Sequence, residues 1–410
     1  MTIRRLPASF LCAVLLALAL PGAGAAETWT GSWFASQQLT EPSNLPPAPG
    51  VAHATLRQFV FPTLGGTKLR VTFSNVFGES PLVITAAHIA VAGPAGQIDP
   101  ATDHALQFEG KPGVTLQAGA SFVSDPLDLP VTALKPLAVT ITIDQAPKAV
   151  TGHPGSRSTS YFCPGDYLAA AELPHATKAE HWYFLSAIEV VNAPNAAAVV
   201  AFGDSITDGH GSTTDANNRW PDDLARQLQS NPATAHIAVL NAGIGGNRLL
   251  RNGLGPNALA RFDRDVLAPP GVRWMIVLEG INDIGTRLGA QRHGFPYASA
   301  DEMIAAYDQL ILRAHAHGIH VIGATITPYE GAGFYFSADG EADRQKVNTW
   351  IRTSGHFDAV VDFDAIVRDP KNPTHLAPAY DSGDHLHPSV AGYETMANAV
   401  YTEVFAAQKP

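Results

Sequence analysis

The hydrophobic pattern of the chain changes near residue 192, and this change constrains the fold more than any other feature. Before it, apolar segments are short and β-branched, and Gly, Pro and Asn bound them. In residues 137–143 large apolar side chains alternate with Ala and Thr, which predicts a strand with one face in a core and the other in water. We therefore predict an all-β sandwich domain for residues 27–192, with no convincing helix in it.

After residue 192 the apolar segments become continuous runs, as in parallel strands that are buried on both faces. The runs are residues 198–202, 237–240, 274–278 and 320–325. Helical stretches separate or follow them, at residues 221–229, 300–318 and 390–406. This alternation predicts one α/β domain over residues 193–410, with a doubly wound parallel sheet.

Residues 1–26 have the pattern of a cleaved secretion signal. Arg4 and Arg5 form a cationic start, residues 10–20 are apolar, and residues 23–25 offer a small-residue cleavage site. The apolar stretch is shorter than the ~20 residues that span a bilayer. We therefore expect a secreted or periplasmic protein with no membrane insertion after cleavage.

Charge and cysteine content exclude two other classes of protein. The chain has 26 Lys plus Arg against 37 Asp plus Glu, a formal net charge of -11, and no basic run. Nucleic acid is therefore not expected as a partner, because phosphate binding needs clustered cations. Cys12 leaves with the signal, so Cys163 has no intramolecular partner and is interpreted as a buried small hydrophobic residue.

A serine follows the first apolar run of the α/β part, where chemistry is expected in such sheets. It stands in the segment Gly203-Asp204-Ser205. A nucleophilic serine needs a base and a group that orients the base. Asp384 and His387 offer both just before the last predicted helix, and their spacing lets Asp384 meet one nitrogen of His387 while the other faces the serine.

Acyl transfer also needs hydrogen-bond donors for the developing oxyanion. The segment 241–247 follows the second run and exposes backbone N–H groups, and Gly246 in it allows close approach. Asn282 follows the third run and carries a neutral side-chain donor.

In chain order these blocks resemble those of the SGNH, or GDSL, hydrolases. The matching residues are Gly203-Asp204-Ser205, Gly246, Gly280-Ile281-Asn282-Asp283 and Asp384-His385-Leu386-His387. The resemblance covers about residues 196–406 and implies a flavodoxin-like SGNH-hydrolase sheet. It implies Ser205 as nucleophile, His387 as base and Asp384 as the partner of the base. The implied oxyanion hole consists of the Ser205 and Gly246 N–H groups and Asn282.

Two positions depart from the commonest family pattern. Ile206 stands where many members have leucine, which leaves the chemistry untouched. Gly245 precedes Gly246, so the oxyanion glycine is ambiguous by one position.

The sharper likeness is to secreted two-domain members with an N-terminal β-domain, a group that includes carbohydrate deacetylases and arylesterases. It implies a small-molecule or polysaccharide ester substrate, with short acyl groups such as O-acetyl on acetylxylan, and no metal or organic cofactor. A broad aryl or short-chain lipid esterase and a non-catalytic carbohydrate-binding protein with a relict hydrolase domain remain alternatives. The oligomeric state stays open.

The sequence also contains partial motifs for other chemistries. Two groups of histidines, His385 with His387 and a second cluster at residues 315–320, contain ligands that zinc prefers. No Cys belongs to either group, which argues against a zinc site. A metal-dependent deacetylase therefore stays a third possibility that a chelator would test. Arg248 stands where a dinucleotide-binding loop has its last glycine, which argues against a dinucleotide site. The chain has no Gly-x-Ser-x-Gly motif, which argues against an α/β-hydrolase fold.

Four polar residues of the N-terminal half stand in predicted loops at strand ends. They are Arg70, Asn75, His153 and Arg157. They are candidates for lining a site, and an interpretation as solvated loop residues is equally open.

Overall fold

The computed structural model describes residues 27–333 and 335–406. The predicted signal, residues 1–26, lies outside the described residues. Within the described ranges no helix is long and apolar enough to cross a membrane.

Residues 29–191 form antiparallel sheets, as the β-branched segments predict. The strands are β1 (Trp29–Phe34), β2 (Gln38–Leu39), β3 (Ala54–Val60), β4 (Lys68–Ser74), β5 (Leu82–Val91), β6 (His104–Ala105), β7 (Val114–Leu116), β8 (Ser121–Val123), β9 (Leu137–Gln145), β10 (Thr151–His153), β11 (Ser160–Pro164), β12 (Thr177–Ala179), β13 (Trp182–Tyr183) and β14 (Leu185–Val191). One sheet has the order β1-β14-β4-β8 and a small one the order β13-β10-β2. The largest runs β12-β11-β3-β9-β5-β6, with β7 also paired to β5. The N-terminal part is thus all-β, as predicted.

The prediction that one face of β9 is wet is wrong. Ala138, Thr140 and Thr142 are 0%, 2% and 7% exposed, so both faces of the strand are buried. Arg57 explains the difference, because its Nε donates to Thr140 Oγ1 at 3.0 Å. The rest of its guanidinium donates to the carbonyl groups of residues 96, 168, 170 and 171, which cover this face.

The α/β part contains one parallel sheet whose strands follow the predicted apolar runs. They are β15 (Ala197–Gly203), β16 (Ile237–Gly243), β17 (Val272–Leu278), β18 (His320–Ala324) and β19 (Ala359–Val361). Their spatial order is β16-β15-β17-β18-β19, the flavodoxin-like 2-1-3-4-5 order. The doubly wound parallel sheet is therefore confirmed. Strand β19 was not predicted from the sequence.

Helices flank or follow these strands. They are α1 (Ser205–Asp208), α2 (Trp220–Ser230), α3 (Ala258–Phe262), α4 (Ile281–Gly285), α5 (Arg287–Arg292), α6 (Ala300–Ala316), α7 (Ala338–Thr353), α8 (Phe363–Val367) and α9 (Val390–Val400). Helix α6 shows why such segments form. Ser299 Oγ accepts from Glu302 N while the Glu302 carboxylate accepts from Ser299 N, which closes a capping box. Met303, Tyr307 and Leu310 then bury one face.

The β part packs against the β16 edge of the parallel sheet. Thr63 Oγ1 donates to Val239 O and accepts from Val239 N, both at 2.9 Å. The hydroxyl thus supplies hydrogen-bond partners for backbone groups of the edge strand β16. Gly31 in β1 lies close enough to Leu240 that a Cβ atom there would be 2.8 Å from the leucine side chain. This contact brings loops of the β part toward the carboxyl ends of β15 and β16.

Candidate active site

Ser205 begins α1, directly after β15. Asp204 is the N-cap, since its Oδ1 accepts from Ile206 N at 2.9 Å. A Cβ atom on Gly203 would lie 2.2 Å from Thr207 Oγ1, so the turn requires a glycine there. The Ser205 hydroxyl lies 2.8 Å from His387 Nε2.

Asp384 and His387 lie on the tight turn that precedes α9. Asp384 Oδ2 is 2.6 Å from His387 Nδ1, and Asp384 Oδ1 accepts from the backbone N–H groups of Leu386 and His387 at 2.9 Å. Ser382 N donates to His387 O at 3.0 Å and closes the turn. The structure thus brings Ser205, His387 and Asp384 into one hydrogen-bonded chain from opposite ends of the α/β part.

The electrostatics of the turn decide which nitrogen of His387 carries the proton. Partial burial acts to raise the pKa of Asp384, but hydrogen bonds from the His387 side chain and from backbone N–H groups outweigh it and hold this pKa well below its usual range. The ionised carboxylate can only accept, so the proton of His387 lies on Nδ1. His387 Nε2 is then the acceptor that faces the Ser205 hydroxyl.

The proposed oxyanion donors line the same cavity as Ser205. Gly246 has a φ of +69°, a conformation that favours glycine, and the amides of Gly245 and Gly246 donate to no other atom in the described part of the chain. Both glycines line the cavity, so the assignment to Gly246 stays a prediction.

Two hydrogen bonds fix the side-chain amide of Asn282. Its Nδ2 donates to Asn247 O at 2.9 Å, and its Oδ1 accepts from Tyr335 OH at 2.8 Å. The second N–H of the amide has no other partner among the described residues. Tyr335 was not predicted, because it is 53 positions from Asn282 and belongs to no motif.

Arg261 joins the ends of three parallel strands beneath the site. Its fully buried guanidinium donates to the carbonyl oxygens of Gly203 and Ala242 at 2.9 and 2.7 Å, and to Glu279 at 3.2 Å. Burial, with the neighbouring Asp204 carboxyl next in effect, raises the pKa of Glu279 well above its usual value. The site therefore rests on a buried polar network rather than on an apolar floor.

Loops of the β part form one wall of the cavity, whose volume is about 480 Å³. These lining residues are Gln38, Glu41, Asn44, Pro154, Gly155, Arg157 and His181. Of the four suspected N-terminal residues, Arg157 lines the cavity and His153 contacts Asp208 of α1. Arg70 instead pairs with Glu189, and Asn75 donates to the backbone carbonyls of Ser80 and Leu116, so neither belongs to the site.

His210, which was not predicted, packs against His387, with ring centres 4.0 Å apart and the ring planes tilted by 39°. Arg157 Nη2 donates to His210 Nδ1 at 2.9 Å, so the proton of a neutral His210 lies on Nε2, which is 3.7 Å from Asp384 Oδ2. Partial burial, followed by the charges of His387 and Arg157, lowers the pKa of His210 to about 4. A side chain of the β part therefore contacts the surroundings of His387 and Asp384 through one histidine.

His210, Asp384 and His387 also form the one group of metal-ligating size in the described ranges, with ligand atoms within 4.8 Å of one another. A metal there would compete with the bonds of His387 to Ser205 and Asp384. The histidines considered for zinc face other groups. His315 and His320 both face Asp358, and His385 Nδ1 lies 2.6 Å from Asp381 Oδ2.

Comparison with known proteins gives a family for the α/β part. Residues 201–395 match the model of the GDSL-like lipase/acylhydrolase family. No curated protein sequence matches significantly.

Two solved structures illustrate the structural similarity. A GDSL-like lipase from Bacteroides thetaiotaomicron VPI-5482 is 19% identical with a TM-score of 0.37, and the match covers 50% of this chain and 86% of that one. A catalytic mutant of an acetylxylan esterase from Geobacillus stearothermophilus is 23% identical with a TM-score of 0.40, covering 52% and 96%.

Proposed function

We propose that the protein is a serine esterase with Ser205 as its nucleophile, a function that fits the match of residues 201–395 to the model of the GDSL-like lipase/acylhydrolase family. One observation carries the proposal. Ser205 Oγ is 2.8 Å from His387 Nε2, and His387 Nδ1 is 2.6 Å from the Asp384 carboxylate. This is the order of contacts in which a base can take the serine proton while a carboxylate stabilises the imidazolium.

In the acylation step, Ser205 Oγ attacks the ester carbonyl carbon as its proton passes to His387 Nε2. The carbonyl oxygen becomes an oxyanion and receives hydrogen bonds from the Ser205 and Gly246 N–H groups and from the remaining N–H of Asn282. When the tetrahedral intermediate collapses, the carbon–oxygen bond to the alcohol breaks. His387 returns its proton to that alcohol, which leaves.

In the deacylation step, water replaces the alcohol and attacks the acyl group on Ser205. His387 takes a proton from the water, the same donors receive the second oxyanion, and the proton passes to Ser205 Oγ as the acid leaves. Asp384 stays ionised throughout, since its pKa lies well below the usual range.

For the substrate we propose short-chain acyl esters, such as O-acetyl groups, on plant polysaccharides such as acetylxylan. Polar side chains of the β part support this choice, because Gln38, Asn44 and Arg157 offer hydrogen bonds to a hydroxyl-rich alcohol. The alkyl part of a lipid ester would offer these groups no hydrogen bond. We propose further that the chain is exported, which suits a polymeric substrate outside the cell.

The first experiment compares hydrolysis of p-nitrophenyl acetate by the mature protein and by Ser205→Ala, with a chelator present. We expect the chelator to leave the wild-type rate unchanged. We expect the rate of Ser205→Ala to be lower than the wild-type rate by on the order of 10⁴-fold or more. Ser230→Ala, at the exposed end of α2, is the matched control and should behave like wild type. Undiminished activity in Ser205→Ala would overturn the assignment, and loss of activity with chelator would favour a metal-dependent deacetylase.

A second experiment addresses the substrate class by measuring acetate release from acetylated xylan alongside aryl acetates. Turnover of both fits a polysaccharide esterase. Turnover of aryl acetates alone would support the aryl or short-chain lipid esterase instead. Glycan binding without any ester turnover would support a non-catalytic carbohydrate-binding protein.

A further inference from the structure

Two arginines beside the proposed oxyanion loop, Arg248 and Arg251, have side chains that make no hydrogen bond or ion pair with any residue that the structure describes. Both are partly buried, and Arg248 Nε and Arg251 Nη1 are hidden from solvent with no acceptor. Among the described residues, each of the other arginines that are not fully exposed forms a hydrogen bond or an ion pair with another side chain or a carbonyl, as Arg287 does with Asp343 and Arg368 with Asp364. A buried donor without an acceptor costs free energy, which indicates that these donors have a partner from outside the chain.

The two guanidinium groups line a second cavity of about 480 Å³. Asn252, Thr286, His293 and Tyr297 are among the other residues in its wall. The cavity is therefore large enough for a sugar unit, and its wall carries hydrogen-bonding groups as well as two positive charges.

One carboxyl group, that of Asp283, also lines this cavity. It is turned toward the backbone, because its oxygens accept from Leu249 N at 2.8 Å and from Leu250 N at 3.4 Å. The charge of Arg251 also helps to lower the pKa of Glu302, but Glu302 does not line the cavity, so Asp283 is the one carboxyl group in the wall beside two guanidinium groups. The cavity keeps a local positive charge in a protein whose formal net charge is -11.

The second cavity adjoins the proposed catalytic one along the chain. Asn282 lines the first cavity and Asp283 the second. Arg248 directly follows Asn247, whose carbonyl accepts from the Asn282 amide. Arg248 is therefore one residue along the chain from the loop that holds the proposed oxyanion donor.

We propose that this second cavity binds a carboxylate of the ester substrate, on an acidic sugar unit adjacent to the unit that carries the acyl group. The proposal rests on the proposed esterase function and narrows its substrate from polysaccharides in general to acidic ones. A planar guanidinium matches a carboxylate with two parallel hydrogen bonds. Phosphate also pairs with guanidinium groups, so inorganic phosphate is the competing probe in the test.

Calorimetry on the Ser205→Ala protein tests this directly, because binding is measured without turnover. The probes are tri-galacturonate and its fully methyl-esterified form, which has the same sugar rings without charge, and inorganic phosphate. We expect the charged trimer to bind at least about ten-fold more tightly than the ester at low salt, with the difference shrinking as salt is added. The double substitution Arg248→Gln and Arg251→Gln should remove the difference.

Arg292→Gln is the matched control, because Arg292 is exposed on α5 and is not part of the cavity wall. It should keep the ten-fold difference. Thermal unfolding checks that the double variant is folded. If the double variant does not fold, the single variant Arg251→Gln takes its place in the test. Equal binding of the two trimers, binding of neither, or a difference that persists without the arginines would overturn the proposal, and tighter binding of phosphate would overturn the carboxylate assignment.

The esterase function can fail separately from this proposal. Absence of p-nitrophenyl acetate hydrolysis in the wild-type protein would count against the esterase alone. A charge-dependent trimer difference would then still establish the carboxylate site, while normal hydrolysis with equal trimer binding would refute only the carboxylate site.

Discussion

His153 Nε2 lies 2.8 Å from Asp208 Oδ1, and both side chains are buried. His153 ends β10 of the β part, and Asp208 ends α1, the helix that Ser205 begins. The other ring nitrogen of His153 lies 2.8 Å from the carbonyl oxygen of Ser36. The histidine therefore joins two segments of the β part to the helix that carries the proposed nucleophile.

Removing this contact should destabilise the protein. Asp208→Ala leaves a buried ring nitrogen of His153 without a partner, and we expect the free energy of unfolding to fall by about 2–3 kcal/mol. Urea unfolding measures the change. As a control, Asp301→Ala removes an exposed ion pair with Lys346 and should cost less than about 0.5 kcal/mol. A double-mutant cycle with His153→Ala that gave no coupling energy would contradict the prediction.

Gly155 should tolerate no side chain, because it packs directly against Asp208. A Cβ atom there would lie 1.7 Å from Asp208 Oδ2, so Gly155→Ala must displace either Asp208 or the loop that lines the cavity. We expect a loss of about 1–3 kcal/mol in unfolding free energy, together with a lower rate on p-nitrophenyl acetate. Gly289→Ala, where a Cβ atom meets nothing within 4 Å, is the stability control. Equal stability of the two variants would refute the close contact.

Tyr335→Phe should lower kcat more than it changes KM. The substitution deletes the hydrogen bond from Tyr335 OH to Asn282 Oδ1, so the amide can rotate away from the oxyanion. We expect kcat to fall about ten-fold, since one orienting hydrogen bond contributes about 1.4 kcal/mol. Asn282→Ala, which removes the donor itself, should cost about 10²- to 10³-fold.

Tyr401→Phe serves as the control for the tyrosine substitution, because Tyr401 OH accepts from Asn231 Nδ2, a contact with the end of α2. It should leave kcat and KM unchanged. An effect of Tyr335→Phe confined to KM would show that the hydroxyl binds substrate rather than orienting Asn282.

The parallel sheet was predictable because each of its first four strands is a continuous apolar run. The fifth strand, β19, has three residues and is too short to give a pattern. The buried second face of β9 was not predictable either. Its Thr side chains look solvent-facing in sequence, and their burial depends on Arg57 and the segment that Arg57 holds over the strand.

The contacts among Ser205, Asp384 and His387 follow from local motifs at strand and helix ends, which is why the sequence suggested them. Their catalytic roles stay predictions until the variants are measured. Tyr335 and His210 belong to no sequence motif. Folding brings Tyr335 beside Asn282 and His210 beside His387, and these contacts have no signal in the sequence. The wall that the β part contributes likewise depends on how β1 packs on β16, which periodicity does not encode.

The stability of the protein should depend on pH through His210. Burial first, and then the charges of His387 and Arg157, lower the pKa of His210 to about 4, whereas a histidine in an unfolded chain has a pKa of about 6.5. Between these values the unfolded state binds the proton and the folded state does not, so stability falls as the pH falls through this window. His210→Asn removes the titrating group and should weaken this pH dependence.

Urea unfolding at several pH values between about 7 and 4.5 measures the effect. The His210 side chain is 47% exposed, so water screens its interactions. We therefore expect wild type to lose only about 1 kcal/mol more than His210→Asn across this range. His104→Asn, at an exposed position in β6, is the matched control and should follow the wild-type curve. Parallel curves for wild type and His210→Asn would show that His210 takes up its proton equally in the folded and unfolded states.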